Sequence, residues 1–316
     1  MSSQPLLNNA SESPSSPQHV ARVTLRGCYE LMRWHKPFIG NTLTFWPCAW
    51  GITMAALANH TPPRSLILQT IKFGISSLLL HSGGCVWNDI CDVRFDKQVE
   101  RTKRRPLPSG RVTTGQAWVL LVLVVTAYAI TLPAPNNTTA ILGCIWVFPL
   151  TGLYPLTKRW TNWPQAWLGL AMNFGFPIAW TSQTGEVQSI VVWTMYLGTV
   201  CWTIVYDTMY AVQDRKDDVK AGIKSTAVLF SDWVRPILSI FAASFVALLV
   251  FSGIWNGQGP TYFVVSCGGT GIHMAWQLLA WKVGEGADDD AKFNSNGFIG
   301  LLIFVGVALD YSLQRT

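Results

Sequence analysis

The sequence predicts an all-α membrane protein, one bundle of spanning helices, and three observations carry that prediction. Half of the 316 residues are apolar and only 13% are charged. The 16 tryptophans are far more than a soluble domain of this size carries, and indole rings concentrate where helices meet the bilayer surface. Apolar windows of about 18 to 23 residues recur along the chain, each long enough to cross the roughly 30 Å hydrocarbon layer.

In order, the windows fall near 37-58, 65-87, 114-132, 138-157, 163-182, 189-211, 233-254, 260-282 and 295-314, and so predict nine spanning helices. Lys72 and His81 weaken the second, and the glycine run at 268-271 weakens the eighth. Ahead of them, residues 1-30 are predicted as a disordered cytosolic tail. Met1 to Val20 is rich in Ser, Pro, Asn and Gln, with no basic residue and no long apolar run. Residues 31-316 then form a single transmembrane domain. The start shows neither the positive, apolar pattern of a secretory signal nor the Arg-rich amphipathic pattern of a mitochondrial leader, although the basic stretch from Arg22 to Lys36 leaves a weak, late version of the second open. This places the endoplasmic reticulum ahead of the mitochondrial inner membrane. The seven cysteines form no C-x-x-C pair and sit mostly in spans, which reads as small packing residues, with no disulfide or zinc role.

Charge orients the bundle. With a cytosolic N-terminus, 20 of the 23 Lys and Arg fall on the cytosolic side, leaving Arg64 and Arg315 opposite and Lys72 within a span. The net charge of +6 is a matter of topology and attraction to anionic lipid, with nothing to suggest nucleic acid.

Two acidic clusters stand out in this carboxylate-poor chain. One is Asn88-Asp89-Ile-Cys-Asp92-Val-Arg-Phe-Asp96; the other is Asp207 followed by Asp214, Asp217 and Asp218. Four predicted helices separate them, so both lie at the cytosolic face. On a helix advancing about 100° per residue, Asp89, Asp92 and Asp96 share one face, as do Asp207, Asp214 and Asp218, while Asp217 lies about 80° away. Carboxylates this close repel unless something positive lies between them, and hard oxygen ligands in that number suit Mg²⁺. A diphosphate held through magnesium is the natural third party. The basic loop from Glu100 to Gly110, with Arg101, Arg105, Pro106 and Pro108, follows the first cluster, and Tyr154-Pro-Leu-Thr-Lys158-Arg159 ends the fourth window. Guanidinium forks hold phosphate oxygens in pairs, although both motifs read equally as positive-inside anchors on charge alone.

Four motifs in order resemble the UbiA superfamily of intramembrane aromatic prenyltransferases. They are Asn88-Asp-x-x-Asp92-x-x-x-Asp96, Arg101-Thr-Lys-x-Arg105-Pro-Leu-Pro-Ser-Gly110, Tyr154-Pro-x-x-Lys158-Arg159, and Tyr206-Asp207-Thr-x-Tyr210-Ala-x-Gln213-Asp214-x-x-Asp217-Asp218 with Lys224-Ser225-Thr226. The resemblance covers nearly the whole chain after residue 30 and is nearest to the branch holding the 4-hydroxybenzoate polyprenyltransferases and their fungal meroterpenoid relatives. It implies nine helices around a central cavity open to lipid, with the acidic motifs facing each other above it.

By position, the resemblance implies that Asn88, Asp89, Asp92 and Asp96 bind one Mg²⁺ and Asp214 and Asp218 another. Asp92 and Asp214 are thereby catalytic, and Asp207 is left to steer or deprotonate the acceptor. Arg101, Arg105 and Lys158 would neutralise the diphosphate, with Tyr154 as a hydrogen-bond donor and Tyr210 in the substrate site. The reaction implied is ionisation of an allylic C–O bond toward a carbocation, stabilised by metal and aromatic faces and shielded from water, followed by attack from a phenolic ring carbon. Arg33-Trp34-His35-Lys36-Pro37 departs from the Arg-x-Asp-Lys-Pro of many relatives. Arg33 remains a candidate for an acceptor carboxylate, with the bland reading of an interfacial Arg and His equally open. The departure points toward a phenolic polyketide acid as acceptor and farnesyl diphosphate as donor in secondary metabolism. Ubiquinone assembly and a terpene cyclase of the same superfamily are the alternatives, and a transporter is disfavoured because midplane broken helices are its mark.

Three weaker features complete the sequence. Asp288-Asp289-Asp290 points three ways on a helix and is predicted to be a solvated loop. Asn59, Asn136 and Asn137 head sequons on the lumenal side, too near the bilayer for a transferase to reach. Lys72 and His273 lie within spans, facing the cavity or snorkelling.

Overall fold

The computed structural model describes the backbone of residues 17–36 and 41–315 and the side chains from residue 24 onward. The described residues are helical, with no strand among them. In chain order the helices are α1 (Pro17–Leu31), α2 (Phe45–Ala58), α3 (Pro63–Asp96), α4 (Thr114–Thr131), α5 (Asn137–Thr157), α6 (Pro164–Asn173), α7 (Gly175–Thr184), α8 (Ile190–Ala211), α9 (Arg215–Ala221), α10 (Thr226–Phe230), α11 (Val234–Trp255), α12 (Gly269–Ala280) and α13 (Gly286–Leu313). Five helical stretches are long and apolar enough to cross a membrane by length and composition: those at Thr114–Thr131, Asn137–Thr157, Ile190–Ala221, Thr226–Trp255 and Gly286–Leu313. The protein is an integral membrane protein. Among the described residues, several of the predicted windows are broken helices.

The breaks have local causes. Window 163-182 divides at Phe174, where Gly175 sits so close to α2 that a Cβ would fall 2.3 Å from Cys48 Sγ, and Pro177 follows in the next turn. Inside α5 a π-helical turn runs over Trp146–Thr151, where Pro149 lacks the N–H an α-helix needs. A second π turn, Phe263–Gly268, precedes α12. At the other end of the chain, α1 is helical where the sequence suggested a tail reaching residue 30. The tail before Pro17 and the segment 37-40 lie outside the described residues.

Hydrocarbon gives backbone and side-chain polar groups no water, so the bundle satisfies many of them internally. Asn173 Nδ2 donates to Gly169 O, Thr199 O and Thr203 Oγ1 at 2.8, 3.1 and 2.8 Å. Trp50 and Trp202 pack at a tilt, 5.4 Å between centroids, and donate to Gly300 O and Asn296 Oδ1. These bonds join α2, α6, α8 and α13 around the largest core, to which Tyr206 and Phe245 also belong. Helix α2 is buried from Trp46 to Ala56. By contrast α4 buries only Ala117, Val124 and Tyr128 and turns the rest of its apolar surface outward, as a lipid-facing helix must.

The segment 97–113 folds back as a compact loop. Leu107 and Val112 pack with Leu31, Val86 and Ala117, Thr102 Oγ1 donates to Asp96 O at 3.0 Å, and Arg111 pairs with Glu30 of α1 at 2.7 Å. Thr113 and Gln116 form a reciprocal capping box that starts α4. The loop is thereby fixed at both ends, which sets where its arginines reach.

Candidate active site

A cavity of about 610 Å³ opens where α3, the 97–113 loop, α5, α8, α9 and the start of α13 converge. Along α3 its wall is one stripe: Leu80, His81, Gly84, Cys85, Asn88, Asp92, Phe95 and Asp96. Steps of three and four residues keep a helical face in register, and they select Asn88, Asp92 and Asp96 while turning Asp89 aside. Asp207, Tyr210, Asp214 and Asp218 line the opposite wall, and Tyr154 and Lys158 stand between. The two acidic motifs therefore share one chamber, at the helix ends where the sequence put them.

Lys158, Arg105 and Arg101 are each held by a carboxylate. Lys158 Nζ lies 2.9 Å from Asp92 Oδ2, and 5.7 Å above the ring of Tyr154. Arg105 Nη1 donates to Asp96 Oδ2 at 2.9 Å and to Asp89 Oδ1 at 3.3 Å. Arg101 crosses the chamber: its Nε donates to Asp214 Oδ1 at 2.9 Å, its Nη2 pairs with Asp214 Oδ2, and its Nη1 donates to Tyr210 at 2.8 Å. Burial opposes the charge of Arg101, but Asp214 and Tyr210 hold its pKa above the ordinary value.

Asp89 differs from its neighbours. It is fully buried, does not line the cavity, and receives both arms of Arg33, at 2.5 and 3.0 Å. The environment suits an anchor, whereas the sequence expectation counted it among metal ligands. Arg33 has φ 63°, an uncommon conformation for a non-glycine residue, and also donates to Glu30 O and Leu31 O. His35 is exposed, does not line the cavity, and packs 6.5 Å from the ring of Tyr29. The guanidinium of Arg33 thus takes its carboxylate from α3.

Three side chains lining the chamber, Asn88, Asp207 and Asp218, offer oxygens with no side-chain hydrogen bond or ion pair among the described residues. Asn88 Oδ1 is buried and unpartnered, and so are the carboxylates of Asp207 and Asp218 left unpaired. Unpaired oxygens at a chamber rich in arginine and lysine, one of them buried on Asn88, fit Mg²⁺, which takes oxygen ligands and retains several from water or substrate. Among the described residues no three His, Cys, Asp or Glu converge tightly enough to hold an ion unaided. The protein offers partial coordination from two sides, and a phosphate-bearing ligand would supply the rest.

Sequence reasoning missed several wall residues. Cys85 and His81 continue the Asn88 stripe one and two turns further in, with Cys85 Sγ 3.7 Å from His81 Nε2, and stepping back three and then four residues from Asn88 would have reached them. Asp290 belongs to α13, lines the cavity and accepts from Gln213 Nε2 at 3.4 Å; Asp289 is buried against Trp281 Nε1 at 2.7 Å. The triplet is thus the folded first turn of α13, which corrects the solvated-loop expectation. Asp217 pairs with Lys220 outside the cavity. A 3-10 turn over Val212–Asp214 separates α8 from α9, so the continuous-helix angles for Asp214 and Asp218 do not apply. Lys72 is exposed and His273 contacts Ser295 at 3.3 Å, both away from the cavity.

An all-helical membrane bundle whose chamber interleaves carboxylates with cations at one end of its helices defines a class of intramembrane enzymes handling polyanionic substrates. The chain belongs to the UbiA prenyltransferase family, whose profile matches residues 44–302. It is a prenyltransferase. It is 42% identical over 315 residues to the UbiA prenyltransferase claS of Ampulloclitocybe clavipes, covering 96% of each chain. It is 40% identical to the mitochondrial 4-hydroxybenzoate polyprenyltransferase of Arabidopsis thaliana, over 92% of this chain and 70% of that one. The fold matches an apo UbiA homologue from Aeropyrum pernix with a TM-score of 0.72 at 21% identity, over 84% of this chain and 97% of that one. It also matches the Archaeoglobus fulgidus homologue bound to GPP and Mg²⁺, with a TM-score of 0.62 at 16% identity, over 90% and 99%.

Proposed function

We propose that this protein transfers a farnesyl group from its diphosphate to a ring carbon of a phenolic polyketide acid, in Mg²⁺-dependent meroterpenoid biosynthesis. The observation that carries the reading is the chamber itself: Asn88, Asp92 and Asp96 facing Asp214 and Asp218, with Arg101, Arg105 and Lys158 between them. We assign the first metal position to Asn88, Asp92 and Asp96 and the second to Asp214 and Asp218, and make Asp89 the anchor of Arg33. Magnesium, when bound, would offset the charge of the diphosphate and so ease its departure.

The chain's own residues account for the rest. Arg101, Arg105 and Lys158 exchange part of their carboxylate contacts for phosphate oxygens, and so favour the leaving diphosphate as the allylic C–O bond breaks with its electron pair. Tyr154 and Tyr210 both line the chamber, their ring faces to stabilise positive charge on the allylic carbon and their hydroxyls to donate to phosphate. The acceptor ring forms the new C–C bond and then loses its ring proton, for which the unpaired carboxylate of Asp207 is the base. Arg33 at the rim orients the acceptor carboxylate with the donors left over from Asp89. The buried chamber and the closed 97–113 loop keep water from the cation.

The endoplasmic reticulum is the proposed location, with the N-terminus and both acidic motifs cytosolic, an orientation supported by the distribution of Lys and Arg. A second reading is transfer to 4-hydroxybenzoate in a mitochondrial membrane. It is supported by relatives bearing that name, including one from Schizosaccharomyces pombe at 38% identity.

Membranes containing the expressed chain, supplied with Mg²⁺, farnesyl or longer polyprenyl diphosphates, and either an orsellinic-type acid or 4-hydroxybenzoate, decide between them. A farnesylated polyketide acid supports the first reading. Preference for 4-hydroxybenzoate with long donors supports the second, and a cyclised hydrocarbon formed without acceptor overturns both.

A further inference from the structure

Asp290 lines the chamber from α13, outside the two acidic motifs, and forms no ion pair among the described residues. Its side-chain hydrogen bond is long, from Gln213 Nε2 at 3.4 Å, and that nitrogen bonds Tyr210 O more closely, at 2.8 Å. The first turn of α13 aims it there. Asp288 is engaged by Lys292 Nζ at 2.9 Å and Lys282 N at 2.8 Å, and Asp289 is turned to Trp281. Three residues on, Phe293 packs on the rings of Tyr210 and Tyr206 at 4.7 and 5.6 Å, so the face of α13 that carries Asp290 lies against α8 at Tyr210.

Tyr210 is also where Arg101 arrives. Its hydroxyl accepts from Arg101 Nη1 at 2.8 Å, and the guanidinium carbon lies 5.0 Å from its ring centroid. Asp290 is near enough to favour the charge of Arg101, and that of Lys36, which lines the chamber as well. Arg101 grips both oxygens of Asp214, with Nε at 2.9 and 3.2 Å and Nη2 on Oδ2. The second metal position, at Asp214 and Asp218, uses those same oxygens, and a divalent ion on either would stand beside the guanidinium and repel it. Asp214 therefore turns to a metal only as Arg101 lets go, and a half-buried guanidinium released without another anion is costly.

We infer that Asp290 is that anion, a positioning residue that receives Arg101 when Asp214 takes the metal. The inference rests on the proposed second metal position. No covalent bond changes: Arg101 keeps Tyr210 as its pivot and exchanges one carboxylate for another. Asp214 is thereby freed before any diphosphate arrives, and the remaining guanidinium donors stay available for phosphate oxygens.

The test follows Mn²⁺, which takes the oxygen ligands of Mg²⁺ and is read by electron paramagnetic resonance without turnover. Purified protein in detergent is titrated with Mn²⁺ in the absence of donor, and the Mn²⁺ lost in Asp214→Ala marks the second position. Asp290→Asn is measured alone and combined with Arg101→Met or Lys36→Met, each pair against its own single variant. Asp290→Asn should weaken that Mn²⁺ about fivefold, the scale of one partly exposed ion pair, and by less than about twofold beside Arg101→Met, where nothing holds Asp214. The full loss should persist beside Lys36→Met, and Asp290→Glu should bind as wild type does. An equal loss beside Arg101→Met, a loss that vanishes beside Lys36→Met, or none in Asp290→Asn alone overturns the inference and leaves the metal position standing. Wild type that binds Mn²⁺ no better than Asp214→Ala overturns the metal position and the inference together.

Discussion

The guanidinium of Arg33 grips the carboxylate of Asp89 with both arms, at 2.5 and 3.0 Å, and ties the turn after α1 to the first acidic motif of α3. The Asp89 side chain is fully buried and that of Arg33 nearly so. Arg105 adds a second cation at 3.3 Å, so one carboxylate joins the N-terminal turn, the spanning helix and the basic loop. Burial opposes the charge of Arg33, but Asp89 keeps its pKa above the ordinary value.

Removing one partner of this pair leaves the other charged and buried, a loss of about 3–5 kcal/mol when nothing replaces it. Asp89→Asn and Arg33→Ala should each lower the melting temperature in detergent markedly. Arg33→Lys should recover little, because an ammonium cannot reproduce the fork. If Asp89→Asn melts like wild type but needs much more Mg²⁺, Asp89 is a metal ligand after all.

Asn88 and Asp218 offer unpartnered oxygens to the chamber, and Asn88 Oδ1 is buried without a hydrogen bond. Asn88→Ala and Asp218→Asn should raise the Mg²⁺ concentration for half-maximal turnover roughly tenfold or more, with thermal stability little changed. Chelation with EDTA should abolish turnover in wild type, and added Mg²⁺ should restore it. Turnover that persists in EDTA would remove magnesium from the mechanism.

Lys158 bridges Asp92 and the Tyr154 ring, and Arg101 bridges Asp214 and Tyr210. Lys158→Met and Arg101→Met should each lower kcat on the order of 100-fold, the scale for deleting one charge-stabilising donor. The two variants differ in a second respect. Arg101 reaches across the chamber from the 97–113 loop, so its loss should also increase hydrolysis of the donor to free prenyl alcohol, whereas Lys158→Met should not. Product analysis by chromatography distinguishes the two.

Asp207 has a simple expected signature. As the base for the ring proton, its replacement by Asn should lower kcat by about 10² or more while the KM for the donor changes little. A rise in donor KM with unchanged kcat would move Asp207 to substrate binding.

The chain itself determined the class of fold and the location of the chemistry. Runs of apolar residues long enough for hydrocarbon can be read without coordinates, because the bilayer imposes one length scale on every span. Asn88, Asp92 and Asp96 could be placed on one face, because a helix repeats every 3.6 residues whatever surrounds it. What lay beyond that reach was pairing across the fold. Asp89 differs from Asn88 by one position, yet that step turns it from the chamber to Arg33, 56 residues earlier in the chain. Asp290 enters the chamber because Gly286 begins a helix, and its two neighbours are engaged by Lys292 and Trp281. The breaks at Phe174 and over Trp146–Thr151 likewise escaped the apolar count, since hydropathy averages over a window while Gly175 and Pro149 act on single hydrogen bonds and contacts. Periodicity is local and is written in the chain; the choice among several nearby charges depends on distances that only the packed helices set.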